Sequence, residues 1–161
     1  MQTDVYSTER AGFAERLARL TGGSTWREPM EGYGSRHDWQ PEAHKLAQAL
    51  AYARAGENDI GPDLVCAIVL QWPGKPHRIV TELAAALLAQ TGRVGERCAD
   101  QLPMVARACY LHVVIGGELP DEMSGVDQRD WLILSSIGTG ALWQSVEQTI
   151  RRAERAYRMA A

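Results

Sequence analysis

Side chains able to do chemistry are sparse in this sequence. Cys109 and His112 lie three residues apart on one predicted helix, and His37-Asp38 is a pair of the type that ligates metal in phosphohydrolases. Zinc needs three or four ligands at recognisable spacing, and neither pair belongs to such a set. The sequence therefore predicts no metal site, and a metal-dependent enzyme that uses His37, Asp38 and His44 is kept as an alternative hypothesis.

Groups for covalent catalysis or phosphate binding do not form a recognisable motif either. Ser135 and Ser136 lie in an apolar context without the Gly-x-Ser-x-Gly turn of a nucleophile elbow. The Gly138–Gly140 segment lacks the lysine and the length of a phosphate loop. The neighbouring carboxylates Asp121 and Glu122 fall in a polar loop and are interpreted as solvating charge. We therefore predict a protein that is not an enzyme and needs no cofactor.

Several features agree at the C-terminal end of the chain. A helix over Asp127–Ile137, a turn over Gly138–Gly140 and a helix over Ala141–Arg158 match the helix-turn-helix plan. Ser136 is small enough for the second helix to approach closely, and Gly140 permits the sharp turn. Three apolar residues of the second helix have the spacing needed to dock on the first: Val146, Ile150 and Ala153.

The outward face of that second helix is predicted to be polar and basic, and to bind nucleic acid. Glutamine side chains pair with adenine edges, and arginines pair with guanine edges or phosphates. The residues expected on this face are Trp143, Gln144, Glu147, Gln148, Arg151, Arg152 and Arg155. Base contacts are assigned to Gln144, Ser145 and Gln148, and phosphate contacts to Arg151, Arg152, Arg155 and Arg158.

The pattern formed by Ser136, Gly140-Ala141, Val146, Ile150 and Ala153-Glu154 resembles the helix-turn-helix of sigma-factor region four. It also resembles the related C-terminal motif of phage antitermination Q-type proteins. The preceding Tyr110–Gly116 segment is loosely similar to the segment before the motif in that phage group. The resemblance implies a small, antiterminator-like transcription regulator, phage-encoded if it follows the second group. Its implied partners are double-stranded DNA and RNA polymerase.

Two other interpretations of these features stay open. The C-terminal arginines also fit a solvated face of an ordinary amphipathic helix, at the end where cations suit the helix dipole. The irregular Thr21–Gln40 segment holds Trp26, Tyr33 and Trp39, residue types that dominate binding hot spots. These aromatics either pin an ordered loop or bind a partner. The second reading predicts a non-enzymatic protein–protein interaction module, such as a phage inhibitor or adaptor of a host complex.

Composition narrows the class of protein. The 161 residues are 45% hydrophobic and carry a net charge of −3, which excludes a disordered tail, a collagen-like rod and a disulfide scaffold. Charge is uneven, at about +2 over 141–161 and −4 over 95–130. The three cysteines, each in an apolar stretch, predict free thiols in a reducing compartment. With no signal segment and no apolar run near 20 residues, we expect a cytoplasmic protein without a membrane association.

Apolar spacing of three and four predicts an all-α protein, a compact bundle of about seven helices that ends in the helix-turn-helix-like pair. We expect one domain over 1–161, with residues 116–125 as the best candidate for an internal boundary. The apolar Leu64–Trp72 segment also fits a buried strand, because β-branched residues are frequent in it. The other predicted helices are Thr8–Leu20, 41–55, His77–Thr91 and 94–115, the last interrupted or kinked at Pro103.

Overall fold

The fold is described from a computed structural model, which covers residues 16, 50, 53–56, 59–70, 74 and 76–160. Among these residues it contains five α-helices, one 3-10 turn and no strand. The helices are α1 (Gly61–Leu70), α2 (His77–Thr91), α3 (Arg93–Arg97), α4 (Leu102–Ile115) and α5 (Gln128–Ala160), with the 3-10 turn at Ala99–Gln101. The all-α prediction is confirmed for this part of the chain. The first two predicted helices fall almost wholly outside it.

The apolar segment that fitted either a buried strand or a helix forms helix α1. It begins at Gly61, three residues before the predicted start, and Pro62 occupies its first turn, where a missing amide hydrogen costs nothing. Asp59 accepts a hydrogen bond at Oδ1 from the Gly61 amide, at 3.0 Å. Leu64, Val65 and Val69 are buried. The run is long enough for nearly three turns, and this favours helix over strand.

Helix α2 has the predicted bounds, His77–Thr91. Pro76 precedes it as the N-cap, and Gly92, with a φ of 55°, follows it as the C-cap. A positive φ is easily adopted only by glycine, so the stop signal in the sequence is a physical one. Ile79, Leu83 and Leu87 recur every fourth residue and are buried.

The predicted helix over 94–115 is divided, but the break is not at Pro103. The chain leaves α3 at Arg97, makes the 3-10 turn, and enters α4 at Leu102. Pro103 therefore lies in the first turn of α4, the position at which a helix tolerates proline. Gly116 ends α4 in the left-handed conformation, with a φ of 89°, and its amide bonds the His112 carbonyl.

Helix α5 corrects the predicted helix-turn-helix. Residues 128–160 form one helix, and Gly138–Gly140 lie inside it instead of forming a turn. Two glycines weaken a helix by about 1 kcal/mol each relative to alanine. The buried stripe of Leu134, Gly138, Leu142 and Val146, at four-residue spacing, runs through the first of them. Packing of that stripe outweighs the glycine propensity. Ser136, expected at a helix–helix contact, is exposed.

The chain divides into two compact units, one of residues 73–145 and one of residues 1–72 with 146–161. Helix α5 contributes to both, and the 116–125 loop lies within the first of them. In the unit of residues 73–145, α2, α4 and the first half of α5 supply the buried side chains, and the Trp131 indole donates to the Pro120 carbonyl at 3.0 Å. In the other unit, α1 residues and Val146, Ile150 and Ala153 are buried. The three docking positions predicted from their spacing are thus core positions.

None of the helices described is both long and apolar enough to cross a lipid bilayer.

Candidate interaction surfaces

The predicted nucleic-acid residues are dispersed around α5. Gln148, Arg151 and Arg155 share one exposed face at three- and four-residue spacing, and we call them the polar stripe. Gln144 is exposed, Ser145 and Arg152 are half-buried, and the side chain of Arg158 lies outside the described part. Trp143, expected on the outer face, is only 4% exposed. It falls on the buried side because it lies three residues before Val146 on the same helix.

Arg151 of the polar stripe and several charged residues near it form ion pairs. Arg151 Nε donates to Glu147 Oε1 at 2.8 Å, and Arg16 Nη1 donates to Glu147 Oε2 at 2.7 Å. Arg16 also bonds Glu154, with 3.0 Å between Nε and Oε1. We call Arg16, Glu147, Arg151 and Glu154 the Arg16 cluster. It ties residue 16 to α5 and binds one of the predicted phosphate contacts to a carboxylate of its own chain.

Arg152, another residue predicted to contact phosphate, also forms an ion pair within the chain. Arg152 Nη1 lies 3.5 Å from Oδ2 of Asp59, the residue whose other carboxylate oxygen bonds the first amide of α1. Asp59 also accepts the Ala55 amide, at 2.9 Å. Sequence reasoning assigned no role to Asp59, although an aspartate commonly bonds the backbone amide two residues further on, in an Asx turn.

The pKa shifts in the Arg16 cluster follow from these contacts. Desolvation raises the pKa of Glu147, but hydrogen bonds from Arg16 and Arg151 outweigh it and hold that pKa below its usual value. Desolvation likewise lowers the pKa of Arg16, and the hydrogen bonds to Glu154 and Glu147 raise it above the ordinary arginine value. Both shifts favour the charged forms of Glu147 and Arg16, so each side chain compensates the charge of the other.

A surface that the sequence analysis did not single out lies on α4. Met104 and Ile115 are 54% and 44% exposed, and between them Ala108 and Leu111 are half-buried. These residues follow one another at intervals of four, three and four, the spacing of the a and d positions at which two helices pack. We call them the α4 seam. The spacing was visible in the sequence, but an apolar stripe alone does not reveal that the opposite face of the helix is the one facing the core.

The opposite face of α4 is buried inside the unit of residues 73–145. It carries Leu102, Val105, Ala106, Cys109, Tyr110, Val113 and Val114, all buried. The helix therefore has two apolar faces, one inside the unit and one turned outward. The exposed Arg107 flanks the outward face. An outward a/d seam of this kind suits contact with another apolar surface.

The three cysteines are poor nucleophiles. Burial raises the pKa of Cys66 to about 11 and that of Cys109 to about 12. Desolvation, together with the charge of Asp130, also raises the pKa of Cys98, whose thiol lies 3.7 Å from a carboxylate oxygen of Asp130. Since the thiolate is the reactive form of cysteine, these groups are neutral thiols at neutral pH. The prediction of free cysteines is confirmed.

The described residues contain no group of three or more His, Cys, Asp or Glu side chains that could hold a metal ion. His112 instead contacts the Gly117 carbonyl through Nδ1, just beyond the end of α4. His37, Asp38 and His44 lie outside the described part, and so do the predicted partner-binding aromatics Trp26, Tyr33 and Trp39. Those hypotheses stay predictions.

The comparisons with known proteins return no match: the chain matches no protein family, no curated protein and no solved structure.

Proposed function

We propose that this protein is a non-enzymatic protein–protein interaction module that binds through the α4 seam. The supporting observation is the outward a/d spacing of Met104, Ala108, Leu111 and Ile115 on a helix whose other face is already buried. Helix folding alone does not require apolar residues on both faces. A partner that covers the seam gives a reason for the second apolar face.

The energetics favour such a contact. Covering a leucine, isoleucine or methionine side chain fully stabilises a complex by about 1.5–3 kcal/mol relative to leaving it in water. Methionine adds adaptability, because its unbranched side chain fills irregular gaps. Met104 and Ile115, at the two ends of the seam, have the most surface left to bury. We expect them to contribute most to binding.

Photo-crosslinking tests this proposal. A photoreactive amino acid in place of Met104 or Ile115 should give a discrete adduct in extracts of the organism that encodes the chain. The same substitution at Leu88 is the matched control, because Leu88 of α2 is also 44% exposed but lies off the seam. The adduct at position 104 should disappear when Leu111→Glu is added. Equal yields at positions 88 and 104, or no adduct at either seam position, would contradict the proposal.

A DNA-binding regulator that acts on double-stranded DNA or RNA polymerase is the second candidate. The exposed polar stripe of Gln148, Arg151 and Arg155 favours it, since a continuous helix can lie in the major groove. Two observations weigh against it and make it second. Arg151 and Arg152 each contact a carboxylate of the chain, and α5 lacks the turn on which the resemblance to sigma-factor region four depends.

Titration of a labelled duplex of mixed sequence separates the two candidates. The regulator predicts binding that weakens steeply with added salt, because phosphate contacts release counterions. It also predicts that Arg151→Glu with Arg155→Glu abolishes binding, while Arg93→Glu, on an exposed residue of α3, does not. The interaction module predicts no duplex binding by either the parent chain or the variants.

A further inference from the structure

We infer that the partner covering the α4 seam is an amphipathic helix of a different protein, with basic residues at the end that meets Ile115. The inference rests on the proposed function and names the chemistry of its partner. It combines two observations: the apolar seam runs along α4, and exposed acids follow the end of that helix at Ile115. A helix of this kind is complementary to the seam both in shape and in charge.

The seam ends in a region of negative potential. Three exposed acids follow α4, with no base in the same loop: Glu118, Asp121 and Glu122. Consecutive Cα atoms are about 3.8 Å apart, so the Cα of Glu118 lies within about 11 Å of the Cα of Ile115. That distance is comparable to the range of about 8–10 Å over which exposed charges act in physiological salt. The carbonyl groups at the C-terminus of α4 carry a partial negative charge that adds to the field of the acids.

The rest of the seam has a mixed charge environment. Arg107, an exposed base of α4, flanks the middle of the seam. Ahead of α4 the exposed acids Glu96 and Asp100 alternate with the exposed bases Arg93 and Arg97. These charges nearly balance one another and favour neither sign on a partner. The charge preference of the seam is therefore confined to its C-terminal end.

The chemistry of a matching partner follows from these two features. Its apolar residues should recur at intervals of three and four over about 12 residues, so that they pack on the seam. Lysines or arginines should lie at one end of this stretch and meet the acidic loop. A second copy of the chain is a poor match, because neither end of α4 offers an excess of exposed bases. An anionic lipid surface is disfavoured by the same acids.

The small size of the seam makes this a transient contact. One face of a helix of 14 residues, about 21 Å long, buries less surface than a stable interface requires. In such complexes opposite charges mainly raise the rate of association. We therefore expect weak, reversible binding that decreases further with added salt.

Two synthetic peptides, used with the full chain, test the charge of the partner. The Lys peptide is a helix of about 18 residues, long enough to cover the seam, with leucines at a and d spacing and lysines at one end. The Glu peptide differs only in carrying glutamates in place of those lysines. Fluorescence anisotropy should show that the Lys peptide binds at least about tenfold more tightly in low salt. This ratio should fall in high salt.

Charge variants locate the preference on the molecule. Glu118→Gln with Glu122→Gln should weaken binding of the Lys peptide by about threefold or more. Glu82→Gln with Glu96→Gln is the matched control, because it removes the same charge from exposed residues away from the C-terminal end of the seam. The control should bind the Lys peptide as the parent does.

Apolar variants test whether the peptide lies on the seam. Ile115→Ser should weaken binding of the Lys peptide by about fivefold or more, because the peptide covers the exposed part of that side chain. Leu88→Ser is the control, since Leu88 is equally exposed but lies off the seam. Equal losses in the two variants would overturn the inference.

Three further results would overturn the basic partner. They are equal affinities for the two peptides, no binding of the Lys peptide up to about 1 mM, and equal effects of the two charge variants. Sedimentation of the parent chain alone should show a monomer up to about 1 mM. A rise in mass that Ile115→Ser removes would identify a second copy as the occupant instead.

Photo-crosslinking distinguishes failure of this inference from failure of the proposed function. The Lys peptide, added to the extract, should reduce the adduct at position 104, and the Glu peptide should not. An adduct that neither peptide reduces would overturn the basic partner and leave the interaction module standing. Absence of any adduct would overturn both.

Discussion

Gly138 of α5 lies so close to Cys109 of α4 that a methyl group on Gly138 would stand 2.8 Å from the Cys109 sulfur and 3.8 Å from Leu87 Cδ1. Cys109 is fully buried, and its thiol lies 3.7 Å from the Ser135 carbonyl oxygen. The glycine thus lets α5 meet α4 at close range. It is a packing residue and not the turn residue that the sequence predicted.

We expect Gly138→Ala to destabilise the protein even though alanine is the better helix former. The gain in helix propensity is about 1 kcal/mol, and forcing a methyl group into this contact costs about 1–3 kcal/mol. The net loss should be about 1 kcal/mol in urea unfolding, and it should be relieved when Cys109→Ala is added. A stabilised single variant would show that the two helices do not meet as closely as described.

Gly140→Ala is the matched control and a test of the helix-turn-helix. No atom lies within 4 Å of the methyl group this substitution would add, so the variant should gain about 0.5–1 kcal/mol from propensity alone. A turn that required a left-handed residue at this position would give the opposite sign. A loss of stability in Gly140→Ala would therefore revive the predicted turn.

The helix ends that depend on a local glycine were predicted well from the sequence. The packing of residues far apart along the chain was predicted poorly. The bounds of α2 and the end of α4 follow from Gly92 and Gly116, whose positive φ values are a local property of glycine. The continuity of α5 depends instead on Cys109 and Leu87 packing against Gly138, which is more than 25 residues away along the chain. A turn and a close helix contact both select glycine. Only the tertiary structure distinguishes them.

The features of the candidate surfaces also divide into those that local sequence patterns encode and those that they do not. The exposure of Gln148, Arg151 and Arg155 follows from helical periodicity and was predicted. The pairing of Arg151 with Glu147 lay within reach as well, since residues four apart on a helix are neighbours. The contact of Arg16 with Glu147 joins residues 131 positions apart, and no local pattern encodes it.

The Arg97–Asp130 pair predicts a pH dependence of stability. Arg97 Nη2 donates to Asp130 Oδ1 at 2.9 Å, and this hydrogen bond lowers the pKa of the nearly buried Asp130. A carboxyl group whose pKa is lower in the folded state stabilises the fold above its unfolded pKa, and that contribution is lost as pH falls through the folded pKa. Asp130→Asn should therefore lower the urea midpoint at pH 7 and flatten the loss of stability at acid pH.

Asp121→Asn serves as the control for that measurement, because Asp121 is an exposed acid in the 116–125 loop. Its urea midpoint at pH 7 should match that of the parent. If Asp130→Asn retains the full acid sensitivity of the parent, the Arg97 contact does not lower the pKa of the Asp130 carboxyl group in solution.

A close approach between Gly61 and Thr149 predicts a large effect of one methyl group. A methyl group on Gly61, the first residue of α1, would clash with the Thr149 hydroxyl. Gly61→Ala should cost about 2 kcal/mol of unfolding free energy, and Thr149→Ala in the same chain should recover part of it. Gly56→Ala, with no atom within 4 Å of the added methyl group, should change stability by less than about 0.5 kcal/mol.

Thr149 alone offers a second test of this contact. Its hydroxyl oxygen is buried and has no hydrogen-bond partner among the described residues. Replacing an unsatisfied buried hydroxyl by a methyl group of similar shape removes a desolvation penalty. Thr149→Val should be neutral or should raise stability by up to about 1 kcal/mol. A clear loss would mean that the hydroxyl has a partner in solution.

The Arg16 cluster predicts a salt-dependent contribution from a residue far from α5 in sequence. Removing Arg16 leaves Glu147 and Glu154 without their shared cation. These two residues of α5 lie seven positions apart, which is about two turns of the helix. We expect Arg16→Ala to lower the unfolding free energy by about 1 kcal/mol, because the pairs are partly exposed and screened by water. The loss should shrink in high salt. Arg93→Ala, at an exposed arginine of α3, should leave stability unchanged.

A double-mutant cycle isolates the Arg16–Glu147 pair from other effects of losing the arginine. Arg16→Ala and Glu147→Ala together should cost less than the sum of the two single losses, with a coupling energy of about 0.5–1 kcal/mol. Because Glu147 keeps a pKa below its usual value in the folded state, the coupling should be present at neutral pH and should fade as pH falls through that lowered pKa. Additive losses at pH 7 would mean that Arg16 stabilises the fold through its aliphatic stem and not through the ion pair.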